Sequence, residues 1–309
     1  MTIPEPNSAT MTPLRIAVTG SHGMVGSALV EALKGSGYEV IRVVRSPPGS
    51  GSADIYWNPS DAEIDGQAFN GLDGVVNLAG ENINQRWTST AKQRIRRSRV
   101  DGTELLAGAL AALDSPPRVL VNASAVGFYG DRGDEHLTEG SGVGSGFLAT
   151  VVRDWEKATA PAARAGIRVV MTRSGVVLSE QGGALKKMLP AFRMGVGGTM
   201  GSGEQWMSWV SLADEVAGIR FALESTDLRG PVNLTSPQPV TNAEFTRTLG
   251  RVLDRPAFFR VPRVALEIAF GQMAEETILA SQHAVSDRLV QAGFEFRYPQ
   301  LEQALQAAL

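Results

Sequence analysis

The chain has 309 residues, a formal net charge of -3 and no cysteine. Disulfides, thiolate nucleophiles and Cys-ligated zinc are therefore excluded, and the charge balance gives no domain-wide basic field for nucleic acid. The three histidines (His22, His136, His283) stand far apart, so no metal site is expected, and the phenols are limited to Tyr38, Tyr56, Tyr129 and Tyr298.

Residues 1–13 are polar and aperiodic and read as a disordered tail. The run LRIAVT (14–19) is a short apolar stretch ending at a glycine, the signature of a fully buried parallel strand. Residues 24–34 place Val25, Ala28, Leu29, Ala32 and Leu33 at helical spacing, and Gly35 and Gly37 stop that helix. VIRVV (40–44) predicts a second strand, VVNLA (75–79) another, and a helix is expected from about Thr90 to Leu113. VLVNAS (119–124) is a further strand, 147–165 a helix, and RVVM (168–171) a strand. Strand and helix in alternation mean right-handed crossovers and a parallel sheet covered on both faces. The remainder is mixed: a Gly-rich stretch at 195–203 suited to a lid, a strand-like PVNL (231–234), and a capping box at Thr241–Glu244.

The predicted fold is thus α/β: a Rossmann-type doubly wound parallel sheet over 14–175. Residues 176–309 then add late elements of that sheet and a small mixed α/β C-terminal substrate lobe. No apolar run approaches the roughly 20 residues of a membrane span, and the N-terminus lacks the blocks of a signal peptide. A cytoplasmic protein without membrane or nucleic-acid partners is expected.

Between the first strand and the first helix lies Thr19-Gly20-Ser21-His22-Gly23-Met24-Val25-Gly26. In this G-x-x-G-x-x-G, Gly20 permits a tight turn, Gly23 lets backbone approach a pyrophosphate, and Gly26 lets helix and strand pack closely. The helix N-terminus, with Met24 and Val25 in its first turn, offers N–H groups and positive dipole to phosphates. A lone glycine triplet is weak, but here the strand before and the helix after supply the required context. An NAD site ordinarily ends the second strand with an acid for the ribose 2′-hydroxyl. This strand ends Val43-Val44-Arg45-Ser46. Arg45 suits a 2′-phosphate through charge-assisted bonds, so NADP is the expected cofactor and NAD the alternative.

Together, TGSHGMVGS (19–27), NLAG (77–80), VNASAVGFYGD (121–131) and GTMGSGEQWMSWV (198–210) with Asp214 resemble the extended short-chain dehydrogenase/reductases. The resemblance is to their NAD-dependent epimerase/dehydratase group. It is nearest to the branch labelled "epimerase family protein", whose members end in a small domain of unknown function, here 286–305. The likeness spans about 14–309. It implies that Ala79 and Gly80 line the cofactor near its ribose, with Glu81 at its working end. It also implies that Trp57 follows the third strand near the adenine and that Val177 passes the nicotinamide. Ser124 falls at the family's catalytic serine, and a homodimer and a small, sugar-like substrate follow by analogy.

The sequence departs from that family at its chemistry. Ordinary members carry Tyr-x-x-x-Lys on the helix after the serine strand, a spacing that puts both side chains on one helix face. Here Phe147 or Leu148 takes the Tyr position and Val151 or Val152 the Lys position, and no Tyr-x-x-x-Lys occurs anywhere in the chain. Tyr129, just past the serine strand, is the best-placed remaining phenol for a general acid. Gln205 and Trp209 are candidates to face the substrate. The basic run from Lys92 to Arg99 reads as a solvated helix face, except for Arg99. That residue opens Arg99-Val100-Asp101-Gly102-Thr103, where the family has Asn-x-x-Gly-Thr. Two functions follow: an NADP-dependent oxidoreductase or epimerase without the usual proton relay, or a non-catalytic NADP(H)-binding regulator or redox sensor.

Overall fold

The computed structural model describes residues 13–309; the expected tail lies, but for Pro13, outside them. An eight-stranded sheet organises the chain. Its first six strands are β1 (Arg15–Thr19), β2 (Glu39–Val44), β3 (Ile55–Asn58), β4 (Glu63–Ile64), β5 (Gly74–Asn77) and β6 (Val119–Ala125), joined by Arg168–Ser174 and Gly230–Leu234. The spatial order is Gly230–Leu234, Arg168–Ser174, β6, β5, β1, β2, β3, β4. All pairs are parallel except β3 with β4. The chain leaves β1 in one direction through β2 and β3, then returns to build outward from β5 on the other side. The crevice between β1 and β5 is the topological switch point, where α/β sheets bind ligands.

The apolar runs form these strands because both sheet faces are covered. One face carries Ile16, Val18, Val76, Val119, Val121 and Val170 against α1 (Met24–Gly35) and the helix Leu212–Glu224. The other carries Ala17, Ile41, Val75, Leu120 and Val169 against α2 (Ser89–Ala111). The expected helix at 147–165 is two helices, α3 (Phe147–Lys157) and Ala160–Arg164, the second opening with Pro161, whose missing N–H cannot continue the first. The capping box at Thr241 is present, its hydroxyl accepting from the Glu244 N–H at 3.2 Å.

Two expectations fail in this layer. The Gly-rich stretch is no open lid: Gly198–Met200 pairs with Phe259–Val261. A Cβ at Gly198 would meet the Phe259 carbonyl at 2.2 Å, so the segment is locked by a close backbone approach. Trp57, expected beyond the third strand near an adenine, instead lies within β3 and is 2% exposed. Its indole packs on Gly102 of α2, where a Cβ would stand 3.2 Å from the ring. It belongs to the core between β3 and α2.

Candidate functional site

The glycine loop closes the crevice from the β1 side. Gly20 adopts φ +62°, and a Cβ there would meet the Leu78 carbonyl carbon at 2.8 Å, so the turn needs glycine on both counts. At Gly26 a Cβ would lie 2.2 Å from the Gly20 oxygen, which lets the first turn of α1 sit directly on the loop. Gly23 is the N-cap of α1, its N–H donating to Gly20 O at 2.9 Å. A Cβ at Gly23 would meet only that same carbonyl, at 3.3 Å. The first turn holds no acid and no side-chain cap, so the N–H groups of Met24, Val25 and Gly26 have no intrahelical partner. This cradle suits a pyrophosphate. Ser21 is buried beside it, and its carbonyl accepts from Ser27 Oγ at 3.3 Å.

The β5 side is fixed by a polar network that the sequence reading did not identify. Thr19 and Asn77, the last residues of β1 and β5, are paired in register with each other and with Asn122 in the middle of β6. Thr19 Oγ1 donates to Asn77 Oδ1 at 2.7 Å, and it accepts from the N–H groups of Leu78 (3.0 Å) and Ala79 (3.2 Å). Asn77 Nδ2 donates to Asn122 Oδ1 at 2.7 Å and to Thr103 Oγ1 at 2.9 Å. All four side chains are buried and mutually satisfied, so they hold the 78–80 backbone rigidly where a cofactor ribose would pass. A polar residue at the same rank in three successive apolar strands was the available signal.

Glu81 is brought to this end, but its carboxylate is engaged by Gln85 (3.2 Å) and Arg94 (3.3 Å). The Gln85 hydrogen bond, then Arg94 and the more distant charge of Arg45, hold its carboxyl below the usual range. Arg45 itself is exposed and, among the described residues, makes no hydrogen bond or ion pair, so its guanidinium is free to meet an anion. Val177 is also close by. It lies in Val176–Leu178, its carbonyl 3.5 Å from a Cβ at Gly183, and the adjacent Gly182 packs on Met24 of the glycine turn.

The two residues expected to move protons are placed elsewhere. Ser124 is buried, and its hydroxyl donates to Glu156 Oε1 at 2.6 Å. Glu156 is held by Arg173 through bonds of 2.8 and 2.9 Å. Arg173 Nη1 in turn donates to the Tyr129 hydroxyl at 3.0 Å, and that hydroxyl donates to Asn233 Oδ1 at 2.6 Å. Tyr129 has no exposed surface, and burial pushes its pKa up. It anchors β6 to the neighbouring strands instead of reaching a substrate, and its phenol is the wrong candidate for a general acid. Ser124 points into the same sealed ion-pair network. Gln205 and Trp209 are likewise buried. Gln205 donates to the carbonyls of Met200 and Ile278, and Trp209 to that of Gln238.

The helix that ordinarily carries Tyr and Lys presents Leu148, Val151 and Val152 to an apolar cluster with Trp87, Ile95 and Met273. Its N-terminus is capped from the far end of the chain. The Glu276 carboxylate accepts from the N–H groups of Phe147 (3.0 Å) and Leu148 (2.7 Å).

A glycine-cradled crevice at the switch point of a doubly wound parallel sheet defines a dinucleotide-binding α/β protein. The model of the NAD dependent epimerase/dehydratase family matches residues 16–234, and a domain of unknown function (DUF1731) matches 261–308. The chain belongs to that epimerase/dehydratase family. It is 47% identical over 291 residues to an epimerase family protein of Mycobacterium bovis, covering 94% of this chain and 96% of that one. It is also 35% identical to the human epimerase family protein SDR39U1, over 94% and 98% of the two chains. Among solved structures it is similar to human SDR39U1 crystallised with NADPH, with TM-score 0.88, 33% identity, and 96% and 99% coverage. A nucleoside-diphosphate sugar epimerase from Corynebacterium glutamicum gives TM-score 0.79 at 38% identity, over 96% of this chain and 58% of that one.

Proposed function

We propose that the chain is an NADP(H)-binding oxidoreductase or epimerase of the extended short-chain dehydrogenase/reductase type that works without a protein-borne Tyr–Lys relay. The observation that carries the cofactor reading is the pairing of an open, glycine-lined helix N-terminus with Arg45 at the end of β2, where an NAD site would have an acid. The cradle at Gly20, Gly23 and Gly26 would hold the pyrophosphate, and Arg45 the 2′-phosphate. Ala79 and Gly80 would lie along the ribose, and Val177 would flank the nicotinamide. The NADPH in the related human protein's structure supports the same choice of cofactor.

When bound, the nicotinamide supplies the hydride chemistry. The protein's own residues position it: the Thr19–Asn77–Asn122 network sets the crevice floor, and the Leu148–Val152 face excludes water beside it. No side chain at the Tyr or Lys position can hold or deliver a proton, so protonation of a substrate oxygen falls to solvent or to the substrate itself. The same apolar face favours a second reading, a non-catalytic NADP(H) sensor. NADPH and NADH titrations by fluorescence, followed by a screen of carbonyl and sugar-nucleotide substrates for loss of reduced-nicotinamide absorbance, separate the readings. Turnover supports the enzyme. Tight NADPH binding with no turnover across the screen supports the sensor, and absence of NADPH binding sinks both.

A further inference from the structure

From the basic run on α2, the structure assigns Arg99 a role of its own: we propose that its guanidinium is the binding site for an anionic group of the substrate, a carboxylate or phosphate, at the working end of the cofactor crevice. The proposal rests on the NADP(H) reading for its place in a reaction, but the site itself is defined by side chains of this chain.

Arg99 does not share the fate of its neighbours. Arg94 and Arg96 lie exposed and pair with acids: Arg94 with Glu81, Arg96 with Asp101 and Asp154. Arg99 turns inward and is half-buried. Its guanidinium carbon would stand 3.1 Å from a Cβ at Gly80, so the group lies flat against the backbone that follows β5, in closer contact than a side chain there would leave it. On its other side it lies over the Trp155 indole of α3, 5.2 Å from the ring centroid.

No carboxylate among the described residues lies within ion-pairing distance of Arg99. Its hydrogen bonds run from Nη1 alone, to the carbonyls of Glu81 (3.0 Å) and Ile95 (3.3 Å). A guanidinium carries five N–H donors in a planar fork, so Nε and Nη2, the edge suited to bidentate recognition of an acid, are left without a protein partner. The nearest acidic side chain, Glu81, is already engaged by Gln85 and Arg94. Loss of hydration lowers the Arg99 pKa to about 10, which still leaves it charged at neutral pH. No carboxylate among the described residues offsets the hydration it loses; an anionic ligand would, and the two carbonyls and the indole hold the fork in place for it.

The location gives the charge a use. Gly80 and Glu81 follow β5 at the switch-point crevice, and α3 beside Arg99 is the helix that carries Phe147 or Leu148 and Val151 or Val152 where the family resemblance expects Tyr and Lys. With no phenol or ammonium at those positions, the cation over Trp155 is the group that can orient a substrate by charge. A neutral sugar offers it no counter-charge, so the substrate class favoured is one bearing an acid group near its reacting carbon.

The test uses the full chain saturated with NADPH and titrated calorimetrically with oxalate, and separately with inorganic phosphate, at matched ionic strength with chloride as control. Arg99→Gln and Arg99→Lys are compared with the parent. The expected result is saturable binding of one of the two anions, weakened by about tenfold or more in Arg99→Gln and less in Arg99→Lys, with NADPH affinity within about twofold of the parent in both. A preference for oxalate over phosphate assigns the class as carboxylates, and the reverse as phosphate esters. Anion binding equal in the parent and Arg99→Gln overturns the proposal, as does loss of NADPH affinity with anion binding intact, which would assign Arg99 to the dinucleotide. Should the parent not bind NADPH, the cofactor reading fails alone; the same titrations on the cofactor-free chain still decide for or against Arg99. Arg99→Lys keeps the charge and guards against misfolding of the Gln variant, with circular dichroism melts run on each.

Discussion

Among the described residues Glu215 is the buried acid with an unpartnered oxygen, and its removal should stabilise the protein. It lies near the start of the helix Leu212–Glu224 and is 3% exposed. Its neighbour Asp214 accepts from Ser211 Oγ and from the N–H groups of Arg297 and Tyr298. Glu215 accepts only from Ser174 Oγ, at 2.6 Å, and its Oε2 has no partner. Burial pushes its carboxyl from the ordinary 4.5 to about 8, against a smaller opposing effect of the Ser174 bond. At 1.36 kcal/mol per pH unit, that displacement corresponds to about 5 kcal/mol as a ceiling. The folded carboxyl titrates above the unfolded one, so the native chain binds the proton more tightly. Its contribution is complete below pH 4.5 and is lost as the pH rises to about 8. Glu215→Gln keeps the volume and the acceptor for Ser174 but never ionises. Its advantage over the parent should therefore grow between pH 5 and pH 8.5, reaching roughly 10 °C in melting temperature at a few degrees per kcal/mol. Melts followed by circular dichroism across that range measure the gap. Parallel pH profiles for parent and variant would refute the reasoning, since they would mean that Glu215 titrates alike in the folded and unfolded chains.

Gly26→Ala should weaken NADPH binding by about tenfold or more and cost about 1–3 kcal/mol of stability by overpacking, because its Cβ would collide with Gly20 O at 2.2 Å. Gly35→Ala, at the other end of α1 with nothing within 4 Å, is the control and should leave the fluorescence titration unchanged and raise stability in the melt slightly, by about 0.4–1 kcal/mol. Arg45→Asp should raise the Kd for NADPH much more than that for NADH; equal changes in the two titrations count against Arg45 as the 2′-phosphate ligand. Tyr129→Phe strands Asn233 Oδ1 and one Arg173 donor and should cost about 1–3 kcal/mol in urea unfolding. It should leave NADPH affinity and the pH dependence of any turnover unaltered, whereas a lost pH limb would restore Tyr129 as an acid.

The fold was legible because parallel strands buried on both faces read as short, mostly apolar runs, as in β1, β5 and β6 and, broken by Arg42, in VIRVV of β2. The glycine loop was legible because Gly20 and Gly26 meet backbone constraints that no other residue satisfies, and Gly23 stands between them at the family spacing. β3 was expected from the family resemblance and not from its own pattern, because Ile55-Tyr56-Trp57-Asn58 is short, polar at its end and preceded by a Pro/Gly/Ser loop. The fate of Ser124 and Tyr129 was not legible for a different reason. Sequence places a residue at a strand end but does not say which side chain waits on the other side of the sheet. Ser124 meets Glu156 from α3, and Tyr129 meets Asn233, 104 residues away. Arg173, in the strand beside β6, binds both Glu156 and the Tyr129 hydroxyl. A charged residue closing an apolar strand, as Arg173 does, was the one local hint of such an ion pair.

The chain has no Tyr-x-x-x-Lys run, and the helix where the family resemblance places one is packed through Leu148, Val151 and Val152 into an apolar cluster. α3 begins where Glu276, from the C-terminal segment, receives the N–H groups of Phe147 and Leu148, and Gln272 supports that carboxylate with a bond of 2.6 Å. Gly146, at φ +108°, is needed because a Cβ there would stand 2.8 Å from the Glu276 carboxyl carbon. Lys92 of α2 donates to Gln272 and lies 5.2 Å from the Phe147 ring centroid, and Phe147 packs edge-on against Trp87 at 5.1 Å. One carboxylate thus ties the C-terminal segment, α2 and α3 into a unit whose inner face is dry. Val152 in that face is 1% exposed. A lysine in its place would have to strip its ammonium of water inside an apolar cluster, and such a group gives up its proton or opens the core. The helix has been rebuilt around packing. Whatever chemistry the crevice performs has to draw its proton from outside that face and its electrostatics from the cations at its rim.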